Sequence, residues 1–265
     1  MVVDVAVTRD DDTDRSGGAS SIRQTGPVEP PSPGPAAAAV VLAGGSGTRL
    51  GAERNKVYLP LRGRPVLAWS LATFAGMPEV AVVVLVVREA DRPLADQVVA
   101  EHAPGVEVVV GGSTRQASEL AGLRHLAARI EAGAIDAVLV HDAARPLAGR
   151  ELAASVLAAA RVTGGAVPGL WRDDLAAAGP DGSGLAGPSP DGLVAVQTPQ
   201  GFRAAALLAA HEEAARCGFV GTDTASCVER FAPNVPIGWV PGDERNIKIT
   251  YAHDLHVAEL AAPIG

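Results

Sequence analysis

Two cations placed just beyond a cluster of glycines define the first chemistry to look for. The apolar run Val40-Val41-Leu42 ends in Ala43-Gly44-Gly45-Ser46-Gly47-Thr48, and Arg49 and Lys56 follow. Glycines let backbone N–H groups close on an anion, and a helix start behind such a loop adds partial positive charge. Arg49 and Lys56 supply full charges, so the stretch reads as a phosphate-binding loop. Its spacing fits neither G-x-x-x-x-G-K-[ST] nor a Gly-x-Gly-x-x-Gly fingerprint.

Two further polar clusters also follow apolar runs. One is Gly111-Gly112-Ser113-Thr114-Arg115-Gln116-Ala117-Ser118; the other is His141-Asp142-Ala143-Ala144-Arg145-Pro146. A carboxylate at the end of an apolar strand must be solvated, paired or metal-bound. Asp142 is therefore a candidate ligand for Mg²⁺ or substrate hydroxyls, or a cap for a following helix. Arg145 can grip a phosphate or pair with Asp142. His141 suits acid–base work, but a packed histidine beside a strand end suits it equally well. Lys248 sits between Ile247 and Ile249, which would face the other way on a strand, so an inward lysine calls for an anionic partner. Thr198, held extended before Pro199, can aim its hydroxyl at a ligand or at its own turn. Thr222-Asp223-Thr224 reads as a helix cap.

These residues need a scaffold that gathers them. Apolar stretches at Ala38–Ala43, Val80–Val87, Val106–Val110 and Ala137–Val140 read as strands covered on both faces. Helical patterns at Pro65–Ala75, Asp91–His102, Arg115–Glu131 and Glu151–Val162 separate or follow them. This βαβ rhythm predicts an open, mostly parallel α/β sheet. The polar clusters then share its carboxyl edge, where such sheets bind ligands. After a strand near Gly165–Val167, the Gly-, Pro- and Asp-rich stretch from Gly169 to Pro190 reads as an irregular arm. Helices are expected again at about Arg203–Arg216, Thr224–Arg230 and Ala252–Ala261, with a strand near Ile237–Val240.

Composition narrows the class. Residues 1–35 carry Asp10-Asp11-Asp12, Ser16-Gly17-Gly18 and a proline-rich run, and are expected to be a disordered tail ahead of a domain spanning 36–262. The chain opens without a secretory pattern and holds no run of apolar residues long enough to span a bilayer. A formal charge of -8 argues against a nucleic-acid surface. Cys217 and Cys227, lacking metal-ligand neighbours, are expected to be reduced and structural, as in a cytoplasmic protein.

Seven pieces, in order, resemble the 2-C-methyl-D-erythritol 4-phosphate cytidylyltransferases and their relatives, the alditol-phosphate cytidylyltransferases. They are Ala43 to Arg49, Asn55 to Leu59, Gly111 to Arg115 with Ser118, Val140 to Pro146, Gln197 to Phe202, Thr222-Asp223 and Ile247 to Thr250. The resemblance implies a Rossmann-like nucleotidyltransferase with a small protruding arm (residues 169–196), CTP as substrate, Mg²⁺ as cofactor, and a homodimer that exchanges arms. It implies that Arg49, Lys56 and Lys248 stabilise the transition state. Ala43, Gly44, Gly45, Ser46, Gly47, Thr48, Gly112, Arg115 and Ser118 would bind the nucleotide, and Asp142, Arg145, Thr198 and Lys248 the acceptor, with Asp142 also facing the metal.

The arm departs from the pattern. Asp174 and Ala176 stand where the family carries threonine and lysine, and Pro190 stands where it carries arginine. Ser113 replaces an acidic residue and Asn55 a proline. Nucleotide handling is thus expected to be intact and acceptor handling altered. Methylerythritol phosphate is the first expected acceptor. The alternatives are ribitol or another alditol phosphate, or a weakly catalytic nucleotide-binding paralogue.

Overall fold

The computed structural model describes residues 36–45, 55–179, 181, 184–188 and 192–263. The expected tail, and the Ser46-Gly47-Thr48-Arg49 part of the glycine loop, lie outside them, as does Pro190. In chain order the strands are β1 (Ala36–Leu42), β2 (Pro60–Leu61), β3 (Arg64–Pro65), β4 (Val80–Val87), β5 (Glu107–Val110), β6 (Ile135–Asp142), β7 (Gly165–Arg172), β8 (Ala176–Ala178), β9 (Leu185–Pro188), β10 (Leu193–Val196), β11 (Gln200–Arg203) and β12 (Ile237–Pro241). The helices are α1 (Val66–Ala75), α2 (Arg92–His102), α3 (Arg115–Glu131), α4 (Arg150–Thr163), α5 (Ala204–Cys217), α6 (Thr224–Phe231) and α7 (Ala252–Ala261).

The main sheet runs β10-β7-β11-β6-β1-β4-β5, with β12 paired to β7. The β6–β1, β1–β4, β4–β5 and β7–β12 pairs are parallel, while β11 and β10 enter antiparallel. Alternation along β1 explains the two layers. Ala37, Ala39 and Val41 pack with α1, α2 and α4 on one face. Ala38, Val40 and Leu42 pack with α3, α5 and α6 on the other. Both faces being covered, a continuous apolar run is what such strands require.

The order places a topological switch point between β1 and β6. From β1 the chain winds outward through β4 and β5, then returns by α3 to β6 on the opposite side. Loops leaving β1 and β6 therefore diverge and open a crevice at their carboxyl ends. Ala43 to Gly45 and Asp142 stand at its two lips.

Local signals explain the helix limits. Thr114 caps α3 by accepting from the Ala117 N–H at 3.0 Å. Asp223 caps α6 in a reciprocal box with Ser226, as the cap reading of Thr222-Asp223-Thr224 expects. Past the end of α5, Gly218 takes φ +65°, the left-handed conformation that glycine adopts without a Cβ penalty.

Three expectations are corrected. Asn246–Thr250 is not a strand; its backbone is drawn onto the loop after β6, with the Ile249 N–H donating to the Ala144 carbonyl at 2.8 Å. The arm is not wholly irregular, since β8 and β9 form an antiparallel hairpin and β10 returns along β7. Cys227 is buried as a packing residue, but Cys217 is exposed; both are free.

Candidate active site

A cavity of about 250 Å³ opens at the switch point. Ala43, Gly44 and Gly45 form one wall, Gly112 to Arg115 and Ser118 another, and Lys56, Asp142 and Lys248 complete it. A second cavity, about 360 Å³, adjoins it across Arg115, Asp142 and Lys248 and continues past Arg145, Thr198 and Asp223. The two share a floor made of one carboxylate between two cations.

On that floor Lys248 Nζ lies 2.6 Å from Asp142 Oδ2, and Arg115 Nη2 lies 3.2 Å from Oδ1. Burial alone would raise the Asp142 carboxyl. Arg115 and then Lys248 overcome burial and hold it well below the usual carboxylate range. Asp142 is thus ionised at any ordinary pH. Because Lys248 leaves the loop that hugs β6, its ammonium reaches the cavity without strand geometry.

His141 works as a brace. It is fully buried, its Nε2 lies 3.1 Å from the Arg145 carbonyl and its Nδ1 lies 3.1 Å from the Thr198 hydroxyl. A neutral ring that donates from Nε2 and accepts at Nδ1 satisfies both contacts. Burial pushes its pKa down to about 4. The Thr198 hydroxyl also accepts from the Asp142 N–H at 3.0 Å and so fixes the strand end. The hydroxyl bonds of Thr198 thus reach the end of β6 and not its own turn, while the residue lines the second cavity.

Arg145 is half-buried. Nη1 donates to the Asn246 carbonyl at 2.7 Å, and Nε has no partner among the described residues. Burial lowers its pKa from the ordinary guanidinium value. A buried donor with nothing to bond is costly, which suits a group waiting for an anion.

Ser118 donates to the Thr114 carbonyl at 2.9 Å, leaving its oxygen free to accept. Gly112 is required by close approach: a Cβ there would stand 2.4 Å from the Ala117 Cβ. The sequence signals for Lys56, Gly112, Arg115, Ser118, Asp142, Arg145 and Lys248 thus converge on one crevice edge, and Arg49 lies outside the described residues.

Other contacts of the site are not marked in the residue order. Asn55 Nδ2 donates to the Ala43 carbonyl at 2.8 Å and to Asp91 Oδ2 at 3.1 Å, tying the glycine-loop exit to the segment before α2. Glu119 and His211 form a buried pair behind Arg115, at 2.6 Å. The only forewarning was an acid four residues after Arg115 on an otherwise apolar helix face.

A switch-point crevice with glycine-loop amides, clustered cations and one carboxylate defines a nucleotidyltransferase. Comparison with known proteins specifies which kind. The family model described as 2-C-methyl-D-erythritol 4-phosphate cytidylyltransferase matches residues 37–262, and the chain belongs to that family. A protein of that name from Geobacter metallireducens is 39% identical over 224 residues, covering 83% of this chain and 95% of the relative. Among solved structures, the Thermus thermophilus 2-C-methyl-D-erythritol 4-phosphate cytidylyltransferase has a TM-score of 0.66 at 34% identity, covering 85% of this chain and 98% of its own. The Anaerococcus prevotii 4-diphosphocytidyl-2C-methyl-D-erythritol synthase has a TM-score of 0.74 at 27% identity, covering 85% and 95%.

Proposed function

We propose that this chain transfers CMP from CTP to 2-C-methyl-D-erythritol 4-phosphate and releases pyrophosphate. The observation that carries the reading is the shared floor: one ionised carboxylate clamped by Arg115 and Lys248 between two adjoining cavities. The first cavity, with Ala43–Gly45 amides and Lys56, suits the triphosphate and base. The second, with Arg145 and Lys248, suits the acceptor phosphate. The relatives' names favour methylerythritol phosphate over ribitol phosphate.

No general base is needed. The acceptor's phosphate oxygen is already an anion and attacks the α-phosphorus of CTP in line, expelling pyrophosphate. Lys56, with Arg49, neutralises charge gathering on the α-phosphoryl oxygens, and Lys248 bridges the incoming phosphate to Asp142. Gly112 and Ser118 face the cytosine.

Mg²⁺ fits this donor set. Asp142 is the one acidic side chain lining the first cavity among its described residues; its Oδ1 accepts from both Arg115 Nε and Nη2, while Oδ2, facing Lys248, keeps a second lone pair. Mg²⁺ is commonly held by one or two carboxylates together with substrate phosphates. Bound there, the ion would supply further charge neutralisation on the phosphates.

We place the enzyme in the cytoplasm as a homodimer of domains spanning residues 36–262. The exposed Trp171, Leu175 and Val196 around the arm support association, and the free cysteines support a reducing compartment. Among the described residues no helix is long and apolar enough to cross a membrane.

Pyrophosphate release from CTP and Mg²⁺, measured against methylerythritol phosphate and ribitol phosphate, tests the reading. Release with methylerythritol phosphate is expected. Release with ribitol phosphate alone would reassign the acceptor, and CTP binding without turnover on either would overturn the transferase reading.

A further inference from the structure

Behind the cavity floor lie charged groups that the reaction does not touch. Glu119 is 1% exposed and His211 0%, and neither lines the two cavities of the site. The same face of α3 continues with Leu120, Leu123, Leu126 and Ile130, all buried and apolar. A buried ion pair is weak evidence of stability, because well-packed apolar side chains of similar volume commonly do as well or better. The acid therefore calls for another explanation.

Its contacts supply one. Glu119 Oε1 accepts from Arg115 Nη1 and from the Thr224 hydroxyl at 3.2 Å, while Oε2 faces His211 Nε2 at 2.6 Å. His211 Nδ1 lies 3.0 Å from the Leu207 carbonyl. Both ring nitrogens face acceptors, a pattern the imidazolium satisfies by donating from each. Burial alone would strip its proton; Cys227 and Glu119 outweigh that and push it up to about 9. Charges then alternate from the core to the cavity: His211, Glu119, Arg115, Asp142, Lys248. Arg115 uses Nε and Nη2 on Asp142 and Nη1 on Glu119 and Thr224. Its guanidinium plane is thereby fixed from α5 and α6 as well as its own helix.

We infer that Glu119, held by His211 and Thr224, is a positioning residue for the cytidylyl-transfer site and acts through Arg115. Resting on the cytidylyltransferase reading, it assigns the buried acid to the orientation of the cation that clamps Asp142. Freed of Glu119, Arg115 would keep its charge but lose one edge of its clamp, and Asp142 would no longer be held in one place between the two cavities.

The test is a mutant cycle in the full chain with CTP, Mg²⁺ and methylerythritol phosphate. Glu119→Gln is expected to lower kcat/KM roughly tenfold in the wild-type background, mainly through kcat, and less than about twofold in an Arg115→Ala background. In the same Glu119→Gln protein, the His211 ring carbon resonances should report a neutral imidazole at pH 8, where the wild type reports imidazolium. Should that variant fail to fold, Thr224→Val removes one donor to Glu119 at unchanged charge. It is expected to cost two- to threefold, again only when Arg115 is present. Equal losses with and without Arg115 overturn the inference while leaving the enzyme reading intact. A wild-type chain that makes no pyrophosphate overturns that reading, and the inference falls with it.

Discussion

The Lys248–Asp142 and Arg172–Asp174 pairs have the same nitrogen–oxygen separation, 2.6 Å, and different surroundings. Asp142 closes a buried strand and its side chain is 13% exposed; Asp174 sits in the arm at 62%. The floor pair has Arg115 on the carboxylate's other side and Arg145 nearby, so positive charge exceeds negative and an anion completes the set. The arm pair is self-neutralising and wet. Water and salt screen such an exposed pair heavily, although it is bidentate. A short distance identifies a contact, but burial and the sum of neighbouring charges decide whether that contact can do chemistry.

The largest effects should therefore come from cations at the cavity. Lys56→Ala is expected to lower kcat on the order of 10²–10³-fold, the range for one transition-state contact. Steady-state pyrophosphate release measures it, and unchanged turnover would remove Lys56 from the mechanism. Lys248→Met should fall in the same range. It also leaves Asp142 with Arg115 as its remaining cationic partner, so it should raise the acceptor KM, which Lys56→Ala should not. If both variants move the same parameter equally, the division into nucleotide and acceptor cavities is wrong.

The two buried histidines sharpen the contrast within the floor itself. Each is fully enclosed, yet His141 faces a hydroxyl and a carbonyl, while His211 faces a carboxylate and a carbonyl. Burial leaves the first neutral, with its pKa near 4; Cys227 and then Glu119 outweigh burial and keep the second charged, with its pKa near 9. Linkage gives opposite signs. Below its unfolded value of 6.5, His141 takes up a proton more readily when unfolded, so stability is lost as pH falls from 6.5 toward 4. His211 binds its proton more tightly when folded, so its contribution is complete below 6.5 and is lost as pH rises through 9. Each limb is worth about 3 kcal/mol. Urea titrations from pH 4 to 10 should show the acid limb flattened in His141→Asn and the alkaline limb flattened in His211→Gln. An alkaline limb that survives His211→Gln would mean the ring is neutral in the fold.

How much of this could be read from residue order depends on the range of the contacts. Val80–Val87 and Arg115–Glu131 match the observed elements residue for residue, because an apolar run and a threonine cap are local signals. The site's edge followed from topology: runs that end in polar clusters must present them on one side of a parallel sheet. Asn246–Thr250 misled because its apolar–Lys–apolar spacing imitates a strand, whereas the Ala144 and Arg145 contacts that shape it come from a hundred residues away. Glu119 and His211 are 92 positions apart, and nothing local marks either as half of a pair. The roles of Asn55 and Thr198 were hidden likewise, since a side chain's hydrogen-bond partners are set by packing.

The smallest effect belongs to the arm, and it separates two accounts of it. Asp174→Ala frees the Arg172 guanidinium, whose pKa its hydrogen bonds to Asp174 raise. Stability should hardly change, because solvent already screens this exposed pair. If the arm carries a cation for the acceptor phosphate in the assembled dimer, releasing Arg172 should lower the acceptor KM two- to threefold and leave the CTP KM alone. That gain should fade in high salt, because an exposed charge acts through solvent. If acceptor binding rests on Arg145 and Lys248 alone, neither KM will move. The arm would then serve association only, and the Arg172–Asp174 pair would contrast with the floor in function as fully as it does in burial.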